Sequence, residues 1–499
     1  MRRGIVDARA DRASEDTDPA EEHDAAVTRL RAQYDLIPAG EPVRLAKRTS
    51  NLFRSRSGTG RPGLDVAALN RVIAVDIAPD GQSATARVQG MTTYEDLVAA
   101  TLPLGWMPLV VPQLKTITLG GAVTGLGIES TSFRNGLPHE SVRSMDILTG
   151  SGEVVTATAD GPNADLFAAF PNSYGSLGYA LALTIELERT HPYVGLRHVR
   201  FDSVHDLATA VAEVMAERRF DGTEVDFVDG VVFTADECYL TLGTWADTPP
   251  PGIRPSDYTG QQIYYRSLRE RSTDLLTVHD YLWRWDTDWF WCSRAFGAQH
   301  PAVRRLWPRQ FLRSDVYWKL VRFEQEHGYL ARWDAQRGRL PRERVIQDVE
   351  IGLDKLPEFI DWFLAQVPIE PIWLCPIQLR PASEAGQPGE LPSAKSAAAG
   401  PDERVPWPLY PMRRGEAYVN VGFWSTVPIL PGRTDGDVNR MIEDEVTGLG
   451  GHKSLYSDAY YDEDTFNALY GGSDYDVVKK RYDPDGRLPS LYEKAVGAR

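Results

Sequence analysis

The sequence predicts an α+β protein made of two domains that share a cleft. Its 499 residues exceed what one hydrophobic core usually supports. Short β-rich runs alternate with helices from Pro42 to about Thr190, and a different rhythm of strands and helices follows. With 42% hydrophobic and 25% charged residues, the composition is that of an ordinary globular chain.

The first domain is predicted to extend from residue 26 to residue 190. Strands at VIAVDIA and ATARVQG precede a helix at TTYEDLVAATLPLG, where Leu97, Ala100 and Leu102 fit one helix face. MPLVVP, a hairpin at SMDILTGSGEVVTAT and a strand at YALALTIELE complete the pattern. Residues 1–25 are predicted to form a disordered acidic tail.

The second domain is predicted to cover residues 191–499. HVRFDSVHDLATAVAEVMAER predicts a strand and a helix, and VDGVVFT and CYLTLGTW predict further strands. The run ERVIQDVEIGLDKLPEFIDWFLAQV indicates a strand that leads into an amphipathic helix, and PIWLCPIQLR and EAYVNVGFW indicate buried strands. Residues 383–405, between the last two strands, are low in complexity and predict a mobile surface loop.

Charge and cysteine content restrict the class of protein. A net charge of -16 argues against a nucleic-acid partner. Three widely separated cysteines form no CxxC pair, which favours a reducing cytoplasm and indicates no metal site. The first thirty residues lack the apolar run of a signal peptide, and no apolar segment is long enough to span a bilayer. We therefore expect a cytoplasmic protein, peripheral at the inner membrane face at most.

Three segments of the first domain combine small residues with hydroxyl groups. They are AKRTSNLFRSR at residues 46–56, TITLGGAVTGLGIESTSFRNGLPHES at 116–141 and PNSYGSLGYA at 171–180. Glycines let backbone N–H groups approach a phosphate, and Ser and Thr add donors without bulk. Tight turns would explain any one segment, whereas the three together predict a cofactor with a pyrophosphate. The chain has no P-loop motif, and its glycines do not form GxGxxG.

The order of LGGAVTGLGIES, RNGLPHES and DLFAAFPNSYGSLGYALALTIEL resembles the FAD-binding PCMH-type domain of the vanillyl-alcohol-oxidase flavoproteins. FVDGVVFTADE, VIQDVEIGLDKL, PIWLCP, EAYVNVGFW and KSLYSDAYYDEDTF extend the resemblance from Pro42 to Val496. Within that superfamily the chain most resembles the Δ24-sterol reductases and actinobacterial relatives that saturate methylene-branched lipid chains. The resemblance implies a two-lobed FAD-binding domain followed by an α+β substrate, or cap, domain.

The resemblance also implies that FAD is held by backbone groups and hydroxyls of the first domain. AKRTSNLF contains no histidine and the glycine stretch no cysteine that could tether the flavin, so we expect noncovalent FAD, with His139 as an alternative contact. The implied cofactor positions are Thr49, Ser50, Asn51, Pro112, Thr116, Thr118, Gly120, Gly121, Gly125, Gly127, Glu129, Ser130, Ser132, Gly136, Gly175 and Gly178.

Reduction of an isolated C=C bond needs a hydride at one carbon and a proton at the other. Because the alkene has no carbonyl to polarise, the acid must be strong and shielded from water. The candidate acids are Glu350, Asp348, Tyr460, Asp458 and Glu129. Glu350 and Asp348 alternate with Val349 along a strand and would share one face, where burial would keep Glu350 protonated. Turn or cap roles are the alternative for Asp348 and Asp458.

The second domain carries an aromatic run, YLWRWDTDWFWCSRAF, with tryptophans at 283, 285, 289 and 291. Packing is one interpretation. A lipid-lined tunnel or a membrane contact is the other, because tryptophan beside Arg284 and the arginines around LWPRQFL suits a lipid headgroup boundary. Cys375 is expected to be a buried small side chain rather than a nucleophile.

These observations favour an FAD-dependent ene-reductase that acts on a methylene-branched fatty acyl chain. The resemblance implies NADPH as the electron donor, and a lipid methyltransferase that supplies the substrate is a candidate partner. A sterol Δ24 reductase, an FAD-dependent alcohol or sugar oxidase that uses oxygen, and a flavin-free lipid carrier are the alternatives.

Overall fold

The computed structural model describes residues 18–47, 53–54, 63–381 and 405–496. The predicted cofactor residues Thr49, Ser50 and Asn51 lie outside these ranges, as does the predicted loop 383–405 apart from Val405. The described chain forms a six-stranded and an eight-stranded sheet, a two-stranded ribbon and the helices around them. The predicted α+β class is confirmed. None of the helices in the described ranges has the length and apolar character needed to cross a membrane.

The N-terminal sheet is antiparallel and has the order β1-β2-β6-β4-β5, with β3 paired to β6. The central strand, β6, buries alternate side chains such as Leu183 and Ile185. The strands are β1 Val72–Ile77, β2 Ala84–Gln89, β3 Trp106–Pro108, β4 Val142–Leu148, β5 Val154–Ala157 and β6 Tyr179–Arg189.

Five helices accompany this sheet: α1 Pro19–Asp35, α2 Tyr94–Thr101, α3 Leu119–Thr124, α4 Ser132–Asn135 and α5 Ala164–Ala169. The first corrects the end of the predicted tail, because α1 begins at Pro19; residues 1–17 of that tail lie outside the described residues. Asp18 caps its N-terminus and Pro19 occupies the first helical turn. Ala26, Leu30 and Tyr34 form the buried stripe of α1, which provides the apolar contacts that a tail would lack.

The C-terminal sheet is also antiparallel, in the order β12-β7-β11-β10-β14-β15-β13-β16. Its register pairs Asp348 with Gly422 and Glu350 with Asn420. The strands are β7 Tyr193–Phe201, β10 Phe227–Thr234, β11 Glu237–Ala246, β12 Thr273–Thr277, β13 Arg342–Gly352, β14 Ile372–Ile377, β15 Tyr418–Pro428 and β16 His452–Lys453; β8 Arg219–Phe220 and β9 Thr223–Glu224 form the separate ribbon.

The two faces of the C-terminal sheet pack against different partners. Val349 of β13 belongs to the core formed with helices α6 Val204–Glu217, α12 Leu356–Gln366 and α13 Asp437–Gly448. Trp373 and Cys375 of β14 belong instead to the core shared with the N-terminal sheet. Because side chains alternate along a strand, Asp348 and Glu350 lie on the face opposite Val349.

One helix lies between β11 and β12, four lie between β12 and β13, and one follows β16. They are α7 Tyr264–Glu270, α8 Val278–Leu282, α9 Pro301–Leu306, α10 Ser314–His327, α11 Tyr329–Gln336 and α14 Glu463–Leu469. The last helices, α15 Gly472–Tyr482 and α16 Leu491–Ala495, return to the N-terminal sheet. Lys494 Nζ donates to the carbonyl oxygens of Tyr174 and Gly175, each at 3.0 Å. The predicted cap segment therefore ends against the first half of the chain.

The strong periodic patterns predict the elements well. VIAVDIA, ATARVQG, YALALTIELE, VDGVVFT and EAYVNVGFW are strands, and the hairpin of SMDILTGSGEVVTAT is β4 and β5. The predicted helices at TTYEDLVAATLPLG and LDKLPEFIDWFLAQV are α2 and α12. The glycine stretch is no strand: Thr118 caps the short helix α3, which ends at Gly125.

Candidate cofactor and substrate cavity

A cavity of about 1170 Å³ lies between the two large sheets and receives side chains from both. It exceeds the roughly 300–1,000 Å³ of ordinary small-molecule pockets. Residues of the glycine stretch, the 174–180 turn and the C-terminal residues 486–494 line one part of it. Aromatic residues and Asp348 of the C-terminal sheet line another part.

The structure brings half of the implied cofactor positions to this cavity. The residues that line it are Pro112, Thr118, Gly120, Gly121, Gly125, Gly127, Gly175 and Gly178. They come from two stretches of sequence, 112–127 and 175–178, which meet because β6 pairs with both β3 and β4. Their glycines leave the backbone open to a ligand.

Five other implied positions are not among the described residues that line the cavity: Thr116, Glu129, Ser130, Ser132 and Gly136. Ser132 Oγ accepts from the backbone N–H of Glu129 at 3.1 Å and so shapes the local loop. Gly136 has φ 67°, and a Cβ there would overlap the Glu140 carboxylate. Ser132 and Gly136 therefore shape the chain next to the cavity and do not form its surface.

Close approach of the chain to itself explains several of the glycines that line the cavity. A Cβ on Gly120 would lie 2.7 Å from the carbonyl oxygen of Gly90, and one on Gly127 would lie 2.7 Å from Pro112 Cγ. A Cβ on Gly121 would lie 2.8 Å from Thr118 Oγ1 and 3.4 Å from Lys47 Nζ. The glycines thus allow tight backbone packing as well as access to a ligand, and the sequence alone suggested only the second role.

Polar and cationic side chains supply what an anionic cofactor needs. Arg44, Lys47 and Lys494 line the cavity in a chain whose net charge is -16. Lys47 Nζ donates to Thr118 Oγ1 at 3.1 Å, which places its ammonium beside the glycine stretch. Gln113 is buried in the lining, and its Nε2 has no hydrogen-bond partner among the described residues. A buried donor of this kind is satisfied by a ligand acceptor.

The aromatic part of the cavity is formed by Phe53, Trp289, Phe290, Trp373 and Trp424. Phe290 contacts Trp424 with ring centroids 4.3 Å apart and Trp373 at 5.3 Å. Trp289 and Phe290 have φ values of 45° and 59°, in a region that such residues rarely adopt. Strain of this kind is often found at functional sites.

The tryptophan run serves mainly for packing, and one of its rings also lines the cavity. Trp283, Trp285 and Trp291 are buried in the core, and among the four only Trp289 lines the cavity within the described chain. All four are at most 7% exposed, so none of them presents its ring to a membrane. Cys375 is fully buried in β14, as expected of a small core side chain.

Asp348 is the acid of the C-terminal sheet that lines the cavity. Burial among apolar groups raises the pKa of its carboxyl to about 7, against the opposing effect of hydrogen bonds with Asn420 and Tyr456. Trp424 Nε1 donates to the Tyr456 hydroxyl at 2.9 Å, which leaves the hydroxyl proton for Asp348. Asp348 Oδ1 has no partner among the described residues.

Gly422 makes room for this carboxyl. It lies opposite Asp348 in the β13–β15 pair. A Cβ on Gly422 would overlap Asp348 Oδ1 and lie 2.7 Å from Trp424 Cη2. The absence of a side chain at this position therefore lets the acid and the indole sit side by side.

Glu350 lies one pleat further along the same face but is fully buried and does not line the cavity within the described residues. Ser454 Oγ donates to Glu350 Oε1 at 3.0 Å. Burial raises the pKa of Glu350 well above its usual value, and the nearby Asp348 raises it further. Glu350 is thus a buried carboxyl that neighbours the cavity acid, with its pKa shifted in the same upward direction.

The other two candidate acids in the C-terminal region lie elsewhere. The Tyr460 ring packs over Gly436, and Arg440 lies 5.1 Å from its centroid. Asp458 accepts from the buried Lys453 through its backbone carbonyl at 2.6 Å. Neither is among the described residues that line the cavity. Tyr456, four residues before Tyr460, lines the cavity instead and forms a hydrogen bond with Asp348.

Glu129 belongs to a buried charge cluster below the cavity. Arg284 Nη2 donates to Glu129 Oε1 at 2.9 Å and to Asp229 Oδ2 at 3.0 Å. Trp285 Nε1 adds a hydrogen bond to the same Asp229 oxygen at 3.0 Å. Burial raises the pKa of Glu129 despite the adjacent guanidinium. The cluster joins the glycine stretch to β10 and the tryptophan run.

His139 also lies away from the cavity lining within the described chain. Its ring is 2% exposed and meets Trp407 edge-on with centroids 4.5 Å apart. Burial lowers the pKa of His139 to about 3, so the ring is neutral near pH 7.

Sequence reasoning missed Gln113, Trp424 and Tyr456. Gln113 follows the implied cofactor residue Pro112 directly, so adjacency was an available signal. Trp424 and Tyr456 lie within two segments that carry the family resemblance, EAYVNVGFW and KSLYSDAYYDEDTF. Their hydrogen bond joins β15 to a loop after β16, and no local pattern reveals such a contact.

The cavity fits FAD by four features of the chain: its volume, the open backbone at the glycines, the cationic lining and the unsatisfied Gln113 amide. The hydroxyl and glycine groups around Thr118 and Gly121 would hold the pyrophosphate, with Lys47 and Lys494 as counter-charges.

Comparisons with known proteins agree with an FAD site in the first part of the chain. The FAD binding domain family matches residues 30–158. The chain is 25% identical over 470 residues to the Delta(24)-sterol reductase of Homo sapiens, covering 88% of this chain and 82% of the relative. It is 26% identical over 438 residues to that of Arabidopsis thaliana, covering 83% and 74%.

A shorter match concerns the N-terminal part. The decaprenylphosphoryl-beta-D-ribose oxidase of Mycolicibacterium smegmatis is 36% identical over 129 residues, which cover 26% of this chain and 27% of the relative. The long matches and the cavity lead to one conclusion: the chain is an FAD-dependent oxidoreductase that resembles the Delta(24)-sterol reductases.

Proposed function

We propose that the protein reduces an isolated C=C bond in a lipid, with NADPH as the electron donor and a methylene-branched fatty acyl chain as the substrate. The observation that carries this proposal is the Asp348 carboxyl, whose pKa is raised by burial and which lies among the aromatic side chains that line the cofactor cavity. The similarity to proteins named Delta(24)-sterol reductase supports a reductive role.

The chemistry requires two additions to the double bond. When bound in its reduced form, FAD supplies the hydride for one alkene carbon. The second carbon needs a proton, and an alkene without a carbonyl accepts it only from an acid that is held close and dry.

Asp348 is suited to donate this proton. Its pKa of about 7 keeps a large fraction protonated near neutral pH. The Tyr456 hydroxyl, held by Trp424, orients the carboxyl, and its hydrogen bond stabilises the carboxylate left after proton transfer. Trp289, Phe290 and Trp373 exclude water from the neighbouring volume. Reprotonation from solvent restores the acid for the next turnover.

The aromatic wall favours an apolar substrate. A sugar would need polar partners along the wall, and Phe53, Trp289, Phe290 and Trp373 offer few. The choice of a fatty acyl chain over a sterol rests on composition, since the abundance of Ala, Arg and Asp is typical of a bacterial GC-rich genome. A Δ24-unsaturated sterol is the second candidate, because the long matches are to proteins named for that activity.

An anaerobic reduction and reoxidation experiment tests the proposal. NADPH should bleach the flavin absorbance, and a methylene-branched acyl phospholipid should restore it with formation of the methyl-branched product. A Δ24-unsaturated sterol tested in parallel decides between the two alkenes.

The matching control uses an alcohol and sugar panel in air. Hydrogen peroxide formation with one of these substrates, together with no bleaching by NADPH, would refute the reductase and support an oxidase. A purified protein that holds no flavin would favour the lipid-carrier alternative.

A further inference from the structure

Exposed apolar side chains concentrate in one stretch of this chain. Of the fifteen large hydrophobic residues exposed within the described ranges, eight lie between residues 303 and 340. They are Val303, Leu306, Phe311, Leu320, Phe323, Tyr329, Trp333 and Leu340. Leu306 is 84% exposed and Trp333 47%. Phe323 and Tyr329 also lie side by side, with ring centroids 6.0 Å apart, and exposed apolar groups that adjoin in this way mark an interaction site.

The same stretch is basic in an acidic protein. Residues 301–340 contain nine Lys or Arg and four Asp or Glu, a net charge of +5, whereas the whole chain carries -16. Several of the arginines lie against aromatic rings: the Arg337 guanidinium is 3.6 Å from the Trp333 centroid and that of Arg332 is 6.0 Å from Tyr329. Basic groups above apolar ones match a bilayer with anionic headgroups.

Helix α10 has two distinct faces that link this surface to the cavity. Leu320 and Phe323 lie on its exposed side, whereas Trp318 lies on its inner side. The Trp318 ring is 4.7 Å from Phe53 and 6.2 Å from Trp289. Both of these residues line the cavity, so one layer of side chains separates the cavity from the exposed face.

We propose that residues 303–340, the arginine–aromatic surface, dock the protein on an anionic lipid bilayer. Leu306, Phe311, Phe323 and Trp333 enter the headgroup region, and exposed arginines such as Arg309 and Arg339 contact lipid phosphates. The surface includes LWPRQFL, whose neighbouring arginines suggested a membrane contact in the sequence, but not the buried tryptophan run. Delivery of lipid chains from the bilayer to the cavity rests on the proposed function; docking itself does not.

Vesicle co-sedimentation tests the docking. The purified, flavin-loaded protein should sediment with vesicles of equal parts phosphatidylglycerol and phosphatidylcholine, and high salt or pure phosphatidylcholine should weaken binding. Leu306→Glu should reduce binding about tenfold, since it replaces an inserted apolar side chain by a charge. The chain offers a matched control, because Leu36, which caps the C-terminus of α1, is 83% exposed and lies outside this surface. Leu36→Glu should bind like the wild type.

Equal vesicle binding of the two variants, or no binding by the wild type, would overturn the proposal. Sedimentation velocity covers the competing explanation: a wild-type dimer that Leu306→Glu dissociates, without vesicle binding, would assign the surface to a second copy of the chain. Circular dichroism confirms that both variants are folded. Because binding is measured without turnover, an enzyme that reduces no alkene but binds vesicles would refute the proposed function and leave the docking intact.

Discussion

Replacement of Asp348 by Asn tests the proposed proton donor. Asn has almost the same shape and keeps an oxygen that can accept from the Tyr456 hydroxyl, but it cannot act as a comparable acid. We therefore expect Asp348→Asn to bind FAD and to accept electrons from NADPH as the wild type does. Reoxidation by the lipid alkene should be slower by a factor of roughly 10²–10⁴, the usual contribution of a positioned general acid.

The pH dependence adds a second signature. With a pKa of about 7, wild-type Asp348 is the protonated acid below neutral pH. The alkene step should fall about tenfold for each pH unit above 7, since only the protonated fraction reacts. In Asp348→Asn the slow residual rate should lose this dependence.

The Asp348 carboxyl should also make the stability of the folded protein depend on pH. The native pKa of Asp348 lies above the value of about 4 that an unfolded Asp has, so the native state binds more protons between pH 4 and 7. This group therefore costs stability as pH rises through that window. The pKa difference corresponds to an upper limit of about 4 kcal/mol. Asp348→Asn should be more stable than the wild type at pH 8, with little difference at pH 4.

Anaerobic stopped-flow absorbance measures the two half-reactions separately, and thermal unfolding at several pH values measures the stability. Glu350→Gln is the matched control, because Glu350 is buried on the same strand face but lies outside the described lining. Its alkene step should stay within about fivefold of the wild type. An Asp348→Asn enzyme that reoxidises with wild-type speed and pH profile would refute Asp348 as the donor.

Three further replacements test the surroundings of the cavity. Gly422→Ala should slow the alkene step at least about tenfold without loss of FAD, since its methyl group would displace Asp348; the flavin absorbance and the reoxidation rate measure the two effects. Gly121→Val should yield a colourless protein, because the side chain would crowd Thr118 and fill the cavity; a yellow, fully loaded variant would contradict this placement. Arg284→Met should lower the free energy of unfolding by about 3–5 kcal/mol, because it leaves buried carboxylates uncompensated, and adding Glu129→Gln should restore part of the loss in thermal denaturation.

The sequence by itself determined the element pattern and the class of cofactor. Strands such as VDGVVFT and helices such as LDKLPEFIDWFLAQV are identified by local hydrophobic period, and three glycine and hydroxyl segments are local signals of a pyrophosphate ligand. Alternation along β13 also placed Asp348 and Glu350 on one face, because side-chain direction in a strand is a local property.

Only the tertiary structure decided which of these residues meet. Asp348 rather than Glu350 reaches the cavity because Gly422, which is 74 residues away in sequence, lies opposite it in the sheet. Tyr456 rather than Tyr460 contacts that acid because the loop after β16 folds over Trp424. The exposure of Leu306 and the burial of Trp285 are likewise set by neighbours distant in sequence. Such pairings depend on the packing of the whole chain, and no local periodicity encodes them.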